Sequence, residues 1–241
     1  MELLESKYLY FICLLITIAY PLAQSFEKRI QLYKDFVKIS ISCGLMMLVF
    51  IPWDILFSYY GIWWFNPKYF IGSPIFHLPI EEWLFFLIIP YACVFIYKVL
   101  IYFFPKGLIT IKIGNIIFLG FGALALYMLL LNYNRAYSLS SFGGCILTII
   151  ILTLKNPSWK TQFLQAFIVS LIPFLLINGL LTGNFTQEAL VNYNPEHFSG
   201  IRITTIPLED MFYNFSMLAM VIGGYEFMNK PGLSNQQTLE H

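Results

Sequence analysis

Pro79-Ile80-Glu81-Glu82-Trp83-Leu84-Phe85-Phe86-Leu87-Ile88-Ile89-Pro90-Tyr91-Ala92-Cys93-Val94-Phe95-Ile96-Tyr97 opens on a proline and two acids and then stays apolar. The run covers 80–104, with Lys98 as its one later charge. About 20 apolar residues in a helix cross roughly 30 Å of hydrocarbon, so the stretch predicts a transmembrane helix entered through an acidic turn. It has no barrel-like alternation, and backbone groups in lipid must be bonded internally. Six further stretches predict spanning helices, at 8–25, 37–57, 112–132, 136–154, 162–183 and 208–228. The fold class is therefore all-α, a polytopic membrane protein of about seven transmembrane helices. Pro52, Pro90 and Pro173 fall within three of these runs, where the missing N–H predicts kinks.

Composition agrees with the hydropathy pattern. Of 241 residues, 59% are hydrophobic and 11% charged, against about half and roughly a quarter in a soluble domain. A net charge of +1 leaves no basic stripe for nucleic acid. Cys13, Cys43, Cys93 and Cys145 sit in apolar runs without metal-ligand spacing and read as core residues. The first run follows Glu2 and Glu5 rather than a basic start, and lacks a small-residue cleavage site, unlike a signal peptide. Leu239-Glu240-His241 reads as a tag remnant. Ten Lys and Arg residues fall on one side of the membrane (28, 29, 34, 38, 98, 106, 112, 155, 160 and 230) and four on the other (Lys7, Lys68, Arg135 and Arg202). That excess places the first side in the cytoplasm, the N-terminus outside and the C-terminus inside, most simply in the plasma (inner) membrane.

The acidic turn recurs. Asn66-Pro67, Phe70, Gly72, Ile75, Pro79 and Glu81 return as Asn194-Pro195, Phe198, Gly200, Ile203, Pro207 and Glu209, each 128 residues later with no gap. Glu82 maps onto Asp210 and Asp54 onto Thr182. The offset divides the chain into a first three-helix repeat (1–104), a connector helix (105–134), a second repeat (135–230) and a tail (231–241). Corresponding helices are four crossings apart and run in the same direction. The repeats are therefore parallel about an axis along the membrane normal, and both motif loops fall on the outer side.

Glu81, Glu82, Glu209 and Asp210 are the strongest chemical candidates. Proline and one acid at a helix start are accounted for by the first turn and its dipole; four carboxylates at duplicated positions exceed that need. Neighbouring helical residues point about 100° apart, so at most one acid of each pair can face the bundle axis squarely, and the other is expected to cap, pair or orient it. A protonated carboxylic acid beside an ionised one is the pattern for acid/base work. Asp54, at the end of the second helix, is either an interfacial residue or part of a site. Arg202 is expected as a charge partner of the acids, and Asn178 and Thr182 as interior hydrogen-bonding groups. Trp63, Trp64, Phe85, Phe86, Phe212 and Tyr213 crowd the motifs as interfacial belt residues or as rings facing a cation. His77 and His197 carry no metal-like spacing, and no metal is expected. No dinucleotide fingerprint, phosphate loop or His-Glu-x-x-His occurs, so no flavin or nicotinamide site of the usual kind is expected.

At Trp53-Asp54, Gly61-Ile62-Trp63, Pro79-Ile80-Glu81-Glu82 with Phe85-Phe86, and Gly200-Ile201-Arg202-Ile203 with Pro207-Leu208-Glu209-Asp210, the sequence resembles the membrane-embedded, non-flavin lycopene cyclase family in its fused two-repeat form. The second half departs from the first, with Thr182 in place of Asp54 and Asn214 in place of Phe86. The resemblance implies cyclisation of the linear ψ-ends of lycopene to β-ionone rings, an isomerisation that needs no cofactor. It implies that the terminal double bond is protonated, the ring closes through a tertiary cation and a proton is lost, with Glu81 and Glu209 as the leading acid/base groups and Glu82 and Asp210 in support. It also implies an apolar carotenoid substrate drawn from the bilayer and a setting compatible with contact to other carotenoid enzymes. A small-solute transporter with parallel three-helix repeats is the alternative, but it predicts a polar path across the midplane, where charges are scarce. A retinal receptor would need a lysine in the last helix, and none lies between 208 and 228.

Overall fold

The computed structural model describes residues 2–229. Lys230 and the expected tag remnant lie outside them. The described residues form seven α-helices: α1 (Leu9–Gln24), α2 (Phe36–Tyr59), α3 (Ile80–Phe103), α4 (Ile111–Leu131), α5 (Ala136–Lys155), α6 (Lys160–Leu181) and α7 (Leu208–Met228). Every end lies within two residues of the boundary expected from hydropathy. The helices continue through Pro21, Pro52, Pro90 and Pro173. Five of them, α2 to α6, are long and apolar enough to cross a membrane. The other two are α1, with 16 residues, and α7, which carries Glu209, Asp210 and Glu226. The outer surface is apolar to a degree water would not support: Leu154, Leu119 and Leu48 are 81%, 75% and 73% exposed. The protein is an all-α integral membrane protein.

The halves are interlaced. Within each half the first helix lies on the third, α1 on α3 and α5 on α7. The middle helices cross over, α2 packing on α7 and α6 on α3, while α4 rests on α5 and α6. Apolar burial drives helices together only weakly in lipid, so close packing and hydrogen bonds must hold them. Small residues permit the approach. A Cβ at Gly224 of α7 would stand 3.1 Å from Ser42 Oγ of α2, and one at Gly114 of α4 would stand 3.2 Å from Thr161 Cγ2 of α6. Phe121 of α4 stacks on Phe212 of α7 at 4.4 Å, and Phe163 of α6 meets Phe215 of α7 at 5.1 Å. Cys13, Cys43, Cys93 and Cys145 are free and buried.

On the motif side the loops meet in an antiparallel pair, β1 (Trp63–Phe65) with β2 (Val191–Tyr193). Trp64 pairs with Asn192, its own equivalent at the 128-residue offset. The flanking bonds are reciprocal: Asn66 N–H donates to Leu190 C=O at 2.8 Å, and Asn194 N–H to Ile62 C=O at 2.9 Å. A pseudo-twofold axis therefore passes between Trp64 and Asn192. A short hairpin, β3 (Arg202–Ile203) with β4 (Ile206–Pro207), leads into α7. Its counterpart before α3 is the Ile75–Leu78 bridge.

A candidate active site between the halves

Proline at the threshold of α3 and of α7 presets the first turn, and each helix begins Glu81-Glu82 or Glu209-Asp210. All four acids are buried. The first of each pair holds its own loop. Glu81 Oε1 accepts from Ile71 N–H at 2.8 Å, and Glu209 Oε1 from Ser199 N–H at 2.6 Å, equivalent bonds in the two repeats. Glu209 Oε1 also accepts from Ser138 Oγ at 2.6 Å.

The second of each pair turns inward. Glu82 and Asp210 line a cavity of about 70 Å³ beneath the β1–β2 pair, together with Asp54 of α2. Tyr10 of α1 donates its hydroxyl to Glu82 Oε2. Asp210 accepts from three donors: Tyr137 at Oδ1, and Tyr193 and Asn178 at Oδ2, the last two at 2.8 Å. Burial, reinforced by the Asp210 carboxylate, holds the Tyr193 phenol well above its ordinary value, so it stays a hydrogen-bond donor. Among the described residues, Asp54 Oδ2 is buried with no hydrogen-bond partner. Aromatic rings form most of the remaining wall, among them Trp63, Phe65, Phe85, Phe86 and Tyr213.

The expected residues are thus divided. Asp54, Glu82, Asp210, Trp63, Phe85, Phe86, Asn178 and Tyr213 share the cavity. Glu81 and Glu209 do not line it, because their carboxylates are turned back to the loop amides. Trp64 is half exposed on the pseudo-dyad. Phe212 is buried against Phe121. Thr182 donates to the Asn178 C=O at 2.8 Å and shares a hydrogen bond with Thr205, so it leaves no counterpart to the Asp54 carboxyl. Arg202 is no partner of the acids: it is exposed, donates to the Thr205 carbonyl, and lies 4.7 Å from the Phe198 ring. His77 meets the Tyr59 ring edge-to-face, and the His197 C=O accepts from Tyr137 N–H.

Tyr10, Tyr137 and Tyr193 complete the polar shell without having been expected there. Tyr10 and Tyr137 sit at the starts of corresponding helices, but one residue out of register under the repeat, since Tyr10 maps onto Ser138. That slip hides them from a comparison at a single offset.

The family model for lycopene cyclase matches the chain twice, over residues 7–100 and 134–228. The chain belongs to the lycopene cyclase family. The two matched regions leave out α4 and carry one helical triplet each, so this lycopene cyclase family member holds the family unit in duplicate on one chain. No curated protein and no solved structure matches it. Membership supports a cyclase role in carotenoid biosynthesis, and the cavity lies where the two matched units meet.

Proposed function

We propose that the protein is a lycopene β-cyclase, an isomerase that closes ψ-ends to β-ionone rings by acid-catalysed carbocation chemistry without net redox change. The observation that carries this reading is a buried cavity in which three carboxyls face aromatic rings. Asp54, with no donor at Oδ2, is placed to hand a proton to the terminal double bond, with Glu82 beside it in the same cavity. The tertiary cation that forms is attacked by the internal double bond, and the ring closes. Asp210 then takes up the departing proton. Its three donors suit an ionised carboxylate, which only accepts. Which carbon yields that proton decides the ring type.

Trp63, Phe85, Phe86 and Tyr213 are the proposed cation-facing groups. Ring faces contribute about 0.5–2 kcal/mol towards a nearby cation. A ψ-end that displaces water from the cavity also keeps water from trapping the cation. The acids gather at one end of the bundle, in a cavity between repeats 1–104 and 135–230. Solute transport would call for a polar path through the midplane instead. The lysine and arginine excess favours an inner (plasma) membrane setting with the acid end outside. Substrate drawn from lipid also favours contact with neighbouring carotenoid enzymes.

Expression in a lycopene-accumulating host, followed by pigment chromatography, tests the assignment. Cyclised carotenoid is the expected product. Lycopene left unchanged beside membrane-inserted protein would overturn it.

A further inference from the structure

The acid-lined cavity has room for a handful of water molecules, at roughly 10–15 Å³ each, and cannot hold a C40 polyene in its 70 Å³. Two larger grooves flank it, one of about 360 Å³ between α1, α3 and α6 and one of about 660 Å³ between α2, α5 and α7. They are related by the pseudo-dyad. Ile16, Tyr20 and Ala92 of the first correspond to Gly144, Thr148 and Met220 of the second at the 128-residue offset.

The grooves differ at the acid cavity. The first shares four wall residues with it: Phe85, Phe174, Asn178 and Asn214. The second shares none. At the repeat position of Asn178 stands Phe50, and at that of Asn214 stands Phe86. Phe50 lies 5.5 Å from Trp53 and 5.0 Å from Tyr213, and Trp53 lies 5.0 Å from Tyr213. Those three rings wall the second groove off from the acids. Aromatic side chains stand between the second groove and the acids, and asparagines stand at the equivalent places in the wall that the first groove shares with them.

We infer that the α1–α3–α6 groove holds the linear polyene tail of the substrate while one ψ-end reacts at the acids, and that its dyad-related groove takes no part. The inference rests on the cyclase reading. The occupant follows from three features: the walls are apolar, four wall residues are shared with the acid cavity, and the outer rim faces lipid through Ile16 and Leu176, each 63% exposed. A long hydrocarbon arriving from the bilayer meets such a slot side-on.

Ala92→Phe and Ile16→Trp fill the first groove at points away from the acids. Met220→Phe and Leu147→Trp fill the second and serve as controls. Ile16 and Leu147 sit on the groove rims, 63% and 59% exposed, so their variants retain the packing of the bundle. Conversion is measured in the lycopene-accumulating host at matched amounts of membrane-inserted protein. Filling the first groove should lower conversion by about tenfold or more, while filling the second changes it by less than about twofold. If the wild type converts lycopene and Ile16→Trp does so equally well, or Leu147→Trp falls as far, the tail assignment is wrong and the cyclase reading stands. A wild type that leaves lycopene untouched defeats both.

Discussion

Adjacent acids at the head of α3 and of α7 divide their work because neighbouring helical side chains point about 100° apart. Glu82 and Asp210 face the cavity; Glu81 and Glu209 accept from loop amides. Glu82→Gln and Asp210→Asn should each lower lycopene conversion by about 10²–10⁴-fold, the usual range for a proton-transfer group, with membrane-inserted protein unchanged. Glu81→Gln retains an oxygen for Ile71 N–H and should cost far less activity. Glu81→Ala removes that acceptor and should lower stability by about 1–3 kcal/mol, read as thermal unfolding in detergent. Equal loss from Glu81→Gln and Glu82→Gln would contradict the division. The proposed protonation has its own label: in D2O each closed ring should take up one deuterium by mass spectrometry, because a donating carboxyl exchanges with solvent. Rings formed without deuterium would rule that step out. The duplicated acids were legible in the sequence, but not which member faces inward, since the choice depends on where the loop returns its amides. Arg202 read as a partner for the acids, yet the β3–β4 hairpin aims it at the Phe198 ring.

The elements are anchored by polar clusters at both ends. On the motif side Glu5 joins three segments: its carboxylate pairs with Lys68 at 2.5 Å and accepts from Tyr69 Oη and Gln187 N–H, each at 2.8 Å. The Lys68 hydrogen bond, then the Gln187 amide, lowers its pKa from 4.5 to about 2. A depressed carboxyl stabilises the fold fully above its unfolded value and loses that contribution as pH falls through the folded one. The clamp should thus be constant above about pH 4.5 and weaken towards pH 2. Glu5→Gln should flatten that acid limb of the melting temperature; an unchanged limb would show that the clamp adds nothing. At the other end Asp35 accepts from Tyr225 Oη of α7 at 2.6 Å and pairs with Lys98 of α3 at 3.3 Å and Lys38 of α2 at 3.4 Å. Asp35→Ala should cost about 1.5–3 kcal/mol in thermal unfolding, with cyclisation per folded molecule unaltered because the cluster is remote from the cavity. Helix ends were legible here because hydrocarbon thickness fixes run length and charges mark where a run leaves the lipid. The clusters were not, because they join residues as far apart in sequence as Asp35 and Tyr225.

Across the whole molecule the duplication gives two equivalent frames and one unequal site. The constant offset made the parallel repeats legible, but not their interlacing, which arises because α2 and α6 each pack on the third helix of the other half. The donors of each acid stay within its own half: Tyr10 serves Glu82, while Tyr137, Asn178 and Tyr193 serve Asp210. The cavity that joins them needs both halves. Cutting the chain between α3 and α4, after Lys106, separates Asp54 and Glu82 from Asp210 without cutting a helix. Each piece alone should leave lycopene unchanged. Helices that insert separately can still associate in the bilayer through packing and hydrogen bonds. Co-expression of 1–106 and 107–241 should therefore restore cyclised pigment, less well than the intact chain because the covalent link raises the effective concentration of each half for the other. The two pieces should also co-purify from detergent. Activity from either piece on its own would mean that one half carries a complete site, and the shared cavity would lose its role.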